Sequence, residues 1–147
     1  DKVGQMTTRL VEKLQGDLRG KKTVPAILET SFKAHFDLVS IHPFYDGNGR
    51  TSRLLMNYIQ SLYQLPLARV FSEDRATYIQ VLEDTRNKKD MGIFVGFMYD
   101  QYYKLLVQEI RKYQDILRAA EKGAWYPLIF LAILLLQTIL PQILQER

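Results

Sequence analysis

Apolar residues recur at helical spacing through the first half of the chain and predict three helices there. The first covers residues 3–14, and a glycine- and lysine-containing loop follows it. The second covers residues 26–41 and ends before Pro43, because the residue preceding a proline avoids the helical conformation. A polar loop then leads to a third helix between about Arg50 and Pro66. Its apolar residues are Leu54, Leu55, Tyr58, Ile59 and Leu62.

The second half of the chain predicts two more helices. Ser72 begins the sequence SEDR, and a serine followed by acidic residues is typical of a helix N-terminus. After a charged connector at residues 87–90, one long helix is predicted over residues 91–118. No stretch alternates convincingly between apolar and polar residues with the two-residue period of a strand. The pattern therefore predicts an all-α fold, a helical bundle.

The composition indicates one globular domain. The chain has 147 residues, of which 47% are hydrophobic and 24% charged, and this suffices for a hydrophobic core. Its net charge of +4 permits an anionic partner such as a nucleotide but is not a nucleic-acid-binding pattern. Without cysteine, the chain forms neither a disulfide nor a thiolate zinc site. It shows no signal peptide, and because it starts at Asp1 we expect a fragment or a processed start.

Residues 42–53, HPFYDGNGRTSR, combine residue types that packing alone does not require. Glycines flank Asn48 just before the third helix, and glycine lets the backbone adopt positive φ and approach a ligand closely. The helix that follows offers unpaired N–H groups and the positive end of its dipole. Arg50 and Arg53 share one helix face, where two guanidinium groups suit a di- or triphosphate. The stretch therefore predicts a site for nucleotide phosphates.

An acid and a histidine beside that site predict group transfer. Asp46 would repel a bare phosphate, so its position is explained by a cation between the two, and Mg²⁺ typically binds one or two carboxylates plus phosphate oxygens. His42 supplies an imidazole, which ordinarily titrates near neutral pH and suits proton abstraction. A base beside an activated phosphate implies transfer to a hydroxyl group.

Plainer interpretations of the same residues explain less. His42 and Asp46 alone are too few ligands for a closed metal site. A solvated helix face would account for Arg50 and Arg53, but not for an asparagine between glycines with an acid before it. His35 has no motif around it, and we interpret it as an ordinary helix residue.

Residues 42–53 resemble the motif of the Fic family (Fic/Doc, or Fido), HxFx(D/E)GNGRxxR, and match every fixed position. The resemblance extends over about residues 3–113. It implies an all-helical fold and a protein adenylyltransferase, which transfers AMP from ATP to a Ser, Thr or Tyr hydroxyl of a target protein. Relatives transfer UMP or phosphocholine, phosphorylate, or remove AMP, and the sequence leaves these alternatives open. A catalytically silent, nucleotide-gated interaction or toxin–antitoxin module is the alternative of another class.

The resemblance also implies a role for each motif residue. His42 is the expected general base, Asp46 the ligand of Mg²⁺ between the α- and β-phosphates, and Phe44 a structural anchor of the loop in the core. Arg50 and Arg53 are expected to bind the β- and γ-phosphates. The expected anion hole, with its asparagine near the α-phosphate, consists of Gly47, Asn48 and Gly49.

Two further elements of the family pattern are not visible in this sequence. A β-hairpin flap, which docks the target as an added strand, usually precedes the first helix and would lie before residue 1. An inhibitory helix with the pattern (S/T)xxxE(G/N) occurs neither before the motif nor at the end of the long helix. An upstream position for that helix is left open, and so is the identity of the target.

The C-terminal segment poses a separate question. Residues 123–145 include no charged residue, and about 20 apolar residues are enough to cross a bilayer. Trp125 and Tyr126 lie where interfacial aromatics would, and the basic residues before them would keep the preceding domain in the cytoplasm. Polar residues and a proline weaken the second half. A membrane anchor through residues 124–144, a helix buried in the domain or in a homodimer interface, and an artefact all stay open.

These expectations divide the chain into a Fic-type domain at residues 1–118 and an apolar C-terminal helix at residues 119–147. The expected partners are ATP, Mg²⁺ and an unidentified target protein, without nucleic acid. The expected location is the cytoplasm, with membrane association through the C-terminal segment as an open alternative.

Overall fold

The computed structural model describes residues 2–20 and 23–121, which form five α-helices. These are α1 (Lys2–Asp17), α2 (Val24–Ile41), α3 (Asn48–Leu62), α4 (Arg75–Lys88) and α5 (Met91–Glu121), with a 3-10 turn at Ser72–Asp74. Within the described residues there is no strand, so the predicted all-α fold is confirmed.

The chain divides into two units, Asp1–Leu106 and Val107–Arg147. The domain boundary predicted at residue 118 stays a prediction. None of the helices in the described part of the chain is long and apolar enough to cross a membrane. The uncharged run at residues 123–145 and its predicted helix lie outside the described residues.

Local chemistry sets the helix ends, and some differ from the prediction. Thr23 caps α2 by accepting a hydrogen bond from the first helical turn (3.4 Å), and Pro25 lies in that turn, where its missing N–H is harmless. The third helix begins at Asn48 rather than near Arg50. Ser72 does not cap α4, because it begins the 3-10 turn instead.

Helix α2 is central, with an apolar cluster on each of two sides. One cluster joins α2, α3, α4 and α5, and its buried residues are Leu28, Phe32, Phe36, Met56, Ala68, Phe71, Tyr78, Leu82, Phe94, Met98, Tyr102 and Leu105. The other joins α1, α2 and α3 through Leu10, Leu14, Ile27, Ala34, Leu38 and Ile59. Each large side chain buried contributes roughly 1.5–3 kcal/mol. Because α2 and α3 belong to both clusters, the loop between them is fixed at both ends.

Two buried glutamines hold the irregular segment between α3 and the 3-10 turn. The Ala68 N–H donates to Gln60 Oε1 (2.7 Å), and the Phe71 N–H donates to Gln101 Oε1 (2.9 Å). Gln60 Nε2 also donates to Ser31 Oγ on α2 (2.9 Å). A buried backbone N–H without an acceptor is costly, so these hydrogen bonds fix the path of the segment. They thereby fix the position of Phe71.

His35 is part of the core rather than an ordinary helix residue. Its side chain is fully buried, and its Nε2 lies 2.8 Å from the Tyr78 hydroxyl, linking α2 to α4. Its Nδ1 has no hydrogen-bond partner among the described residues. Burial, helped by the Arg53 charge, lowers the pKa of His35 to about 3. The imidazole is therefore neutral at physiological pH.

Mild acid should destabilise the fold through His35. The unfolded chain protonates this imidazole below pH 6.5, whereas the folded chain keeps it neutral down to a pKa of about 3. The unfolded state then binds more protons, so the free energy of unfolding falls as pH drops through this window. Between about pH 7 and about pH 5, urea unfolding should show a loss of about 2 kcal/mol from this group. In His35→Gln the glutamine does not titrate, so the free energy of unfolding should fall clearly less between these two pH values. An equal fall in the native chain and the variant would contradict this account.

Candidate active site

His42 ends α2 in the left-handed conformation, with φ 56° and ψ 54°. Its backbone N–H donates to the Leu38 carbonyl (3.1 Å), which terminates the helix. Its ring Nδ1 lies 3.4 Å from the Val39 carbonyl oxygen. A carbonyl oxygen only accepts, so this long contact favours the tautomer that carries its proton on Nδ1. The other ring nitrogen, Nε2, is then the basic one, on a side chain that is exposed.

The Asn48 side chain braces the loop between α2 and α3. Its Oδ1 accepts a hydrogen bond from the Phe44 N–H (2.9 Å), and its Nδ2 donates to the Phe44 carbonyl (2.6 Å). The residue is only 3% exposed, so water competes little for these bonds. One side chain thereby satisfies both backbone groups of a loop residue and sets the shape of the loop.

Two glycines allow the loop to enter α3 closely. Gly47 has φ +82°, a conformation that side chains other than glycine adopt with strain. A Cβ on Gly49 would lie 3.4 Å from Arg53 Nη1, so its absence gives the guanidinium room. The N–H groups of residues 48–50 have no carbonyl acceptor among the described residues. Together with the positive end of the helix dipole, these groups form an electrostatic cradle suited to an anion.

Asp46 and Arg50, predicted to bind a metal and a phosphate respectively, pair with each other. Arg50 Nη2 lies 2.9 Å from Asp46 Oδ2, and the two side chains are 75% and 83% exposed. An exposed ion pair contributes only about 0.2–1 kcal/mol, so a ligand can readily replace it. The described residues contain no group of three metal-ligating side chains. A single accessible carboxylate fits a cation such as Mg²⁺, which takes most of its ligands from phosphate and water oxygens.

The motif residues line one cavity, which we call the loop cavity. It has a volume of about 330 Å³ and is lined by His42, Tyr45, Asp46, Gly47, Asn48, Gly49, Arg50, Arg53 and Arg75. A second, inner cavity of about 540 Å³ is lined by Arg53, Val70, Phe71, Ser72, Arg75, Tyr78 and Ile79. Two arginines, one on α3 and one on α4, line both cavities.

Arg53 influences the groups around it electrostatically. Burial raises the pKa of the Tyr78 hydroxyl, while the positive charges of Arg53 and Arg86 offset part of that rise. Tyr78 therefore stays protonated near neutral pH and can both donate and accept a hydrogen bond. It adds a hydroxyl group to an inner cavity whose wall also includes Arg53, Ser72 and Arg75.

The structure brings seven of the eight predicted site residues to the loop cavity; their chemical roles stay predictions. The exception is Phe44, whose side chain is 47% exposed rather than anchored in the core. Its backbone, held by Asn48, makes the anchoring contact instead. Sequence reasoning missed Arg75 and Tyr78 as lining residues, because only the packing of α4 brings them next to the motif.

Comparison with known proteins identifies similar sequences. Residues 3–60 match the model of the Fic/DOC family. Over 73 residues the chain is 44% identical to proteins named Protein adenylyltransferase Fic from Drosophila grimshawi, Drosophila virilis and Drosophila melanogaster. The alignment covers 50% of this chain and 15% of each relative, so the chain spans only a small part of their length. The match to the family model includes the whole of residues 42–53, so residues 3–60 are a Fic/DOC-type region.

Proposed function

We propose that this chain is a protein adenylyltransferase that transfers AMP from Mg²⁺-bound ATP to a Ser, Thr or Tyr hydroxyl of a target protein. One observation carries the proposal: a basic histidine nitrogen and an anion cradle with two arginines line the same cavity. The names of the Drosophila relatives support it. Since the chain covers 15% of those relatives, the activity of the whole protein is part of the proposal.

The two cavities suggest how the donor nucleotide binds. Its phosphates occupy the loop cavity, where the N–H groups of residues 48–50 donate to oxygens and Arg50 and Arg53 neutralise charge. The inner cavity, which shares Arg53 with the loop cavity, takes the nucleoside. Its mixture of apolar side chains and a few polar groups is typical of small-molecule sites.

Transfer then follows from the position of His42. The target hydroxyl gives its proton to His42 Nε2, and its oxygen forms a bond to the α-phosphorus. The bond from that phosphorus to the oxygen bridging to the β-phosphate breaks, and pyrophosphate leaves with the electron pair. Arg50 and Arg53 stabilise the charge that develops on the leaving group. General-base catalysis of this kind contributes typically about 10²–10⁴-fold to the rate.

Asp46 has a different task in this proposal. Its carboxylate repels phosphate and, in the absence of ligand, neutralises Arg50. We assign it to Mg²⁺, which when bound supplies positive charge to the phosphates. Binding of the metal to Asp46 would release Arg50 for the nucleotide.

Transfer of label from ATP tests the proposed function. The chain is incubated with a cell lysate, Mg²⁺ and ATP labelled at either the α- or the γ-phosphate. We expect protein-bound label from the α position only, and a loss of at least about 100-fold in His42→Ala, because the general base is removed. His42→Asn should show the same loss while tolerating the left-handed backbone, since asparagine adopts it more readily than alanine.

Other outcomes would replace the proposal. Label from the γ position alone would indicate phosphorylation. Equal labelling by the native chain and both His42 variants would contradict the role of His42. Absence of label from either position, with ATP binding retained, would favour a silent nucleotide-gated module.

Replacing Asp46 by asparagine should change ATP binding in opposite directions with and without metal. In EDTA, Asp46→Asn should bind ATP more tightly than the native chain, because a repelling carboxylate is removed and Arg50 is freed. With Mg²⁺, the native chain should gain affinity and the variant should gain little. Calorimetric titrations in both buffers measure this. If Mg²⁺ increases the affinity for ATP by the same factor in the native chain and in Asp46→Asn, Asp46 is not a metal ligand.

A further inference from the structure

Arg75 lies outside the motif but lines the loop cavity together with Arg50 and Arg53. It is the first residue of α4 and is exposed. It also lines the inner cavity, as does Arg53. Two different helices thus each contribute an arginine to the walls of the same two cavities.

Among the residues that the structure describes, no acid pairs with Arg75. Its sequence neighbours Glu73 and Asp74 both bind Lys104 instead, at 2.7 and 2.9 Å. Asp74 also accepts a hydrogen bond from Gln101 Nε2 (2.9 Å). Within residues 2–20 and 23–121, the Arg75 side chain forms neither a hydrogen bond nor an ion pair. The two acids that directly precede Arg75 in the sequence therefore pair with other side chains.

This position is unfavourable for an arginine when the cavities hold no anion. The N-terminus of α4 carries the positive end of the helix dipole, which disfavours a cation there. Arg53 adds a like charge on the shared walls. Asp46, the only acid among the described residues that line the loop cavity, already pairs with Arg50. An anion bound between Arg53 and Arg75 would be attracted by both arginines and by the N-terminus of α4, and would offset the repulsion among these positive charges.

We propose that Arg75 binds the phosphate chain of the donor nucleotide as a third arginine, supplied by α4 rather than by the motif. The inference rests on the proposed function only for the identity of the nucleotide. The positive charges of Arg50, Arg53 and Arg75 suit a polyphosphate whichever reaction follows. Arg75 adds a positive charge from α4, outside the sequence motif, to the walls of the phosphate site, so the position of α4 affects nucleotide affinity.

Binding of inorganic triphosphate and of Mg²⁺-bound ATP tests this inference in the full chain. Arg75→Gln should weaken both by about 10-fold, as expected for one charge-assisted hydrogen bond, and Arg75→Lys should weaken them less. The matched control is Arg9→Gln, the same change on the exposed surface of α1, which should leave both affinities unchanged. Arg53→Gln serves as the comparison within the motif.

Thermal unfolding separates binding from a structural role. Without ligand, Arg75→Gln should unfold at a temperature equal to or above that of the native chain, because like-charge repulsion is removed. With saturating triphosphate its stabilisation should be smaller. A lower unfolding temperature without ligand, combined with native affinity for triphosphate, would show that Arg75 is structural and overturn the inference.

The same measurements separate this inference from the proposed function. If Arg53→Gln weakens triphosphate binding and Arg75→Gln does not, the inference fails and the proposed function is unaffected. If both variants weaken binding but the native chain transfers no AMP, Arg75 is a polyphosphate-binding residue and the proposed function fails.

Discussion

The two hydrogen bonds between the Asn48 amide and the Phe44 backbone hold the loop on which every other feature of the site depends. The loop has no helical or strand hydrogen bonds of its own between His42 and the start of α3. The brace keeps His42 at the end of α2 and Gly47 in its positive-φ conformation. Its rigidity in turn depends on α2 and α3, which share both apolar clusters. The site is thus a loop held at both ends by the core and in the middle by one side chain.

Such a loop provides preorganised electrostatics. The N–H groups of residues 48–50, the dipole of α3 and the arginines of α3 and α4 all present positive charge to one cavity, and one acid opposes them. These groups are in place before a ligand binds, so little reorganisation is required on binding. The weak ion pair between Asp46 and Arg50 is the part of the site that can rearrange. Both side chains are exposed, so Asp46 can leave the pair to bind a cation while Arg50 binds an anion.

The sequence predicts the helices well, because their apolar periodicity is the same pattern that buries residues on either side of α2. It also identifies the motif, since residues 42–53 combine types that packing does not require. It does not predict that the Asn48 amide is used within the loop, because an amide next to an anion cradle is equally suited to donate to a ligand. The family resemblance implies that Phe44 anchors the loop in the core, yet its backbone rather than its ring makes the anchoring contact.

The positions of Arg75 and His35 next to other functional residues depend on tertiary packing and cannot be predicted from residue spacing along the sequence. Arg75 follows the motif after an irregular segment whose path depends on Gln60 and Gln101, two polar residues without a distinctive local pattern. His35 lies on the face of α2 that meets α4, and its contact with Tyr78 becomes visible only when those helices are packed together. Both residues lie outside the motif. The charge of Arg53 helps to lower the pKa of His35, and Arg75 lines the same two cavities as Arg53.

The loop braced by Asn48 should bind nucleotide phosphates through backbone N–H groups that are already in position before the ligand binds. Backbone amide NMR of the nitrogen-15-labelled chain during titration with Mg²⁺-bound ATP tests it most directly. We predict that the largest shifts occur at the backbone amides of Asn48, Gly49 and Arg50, while those of Gly4 and Gly16 on α1 stay unchanged. Saturable binding that leaves the loop amides unshifted, or shifts α1 equally, would contradict the account.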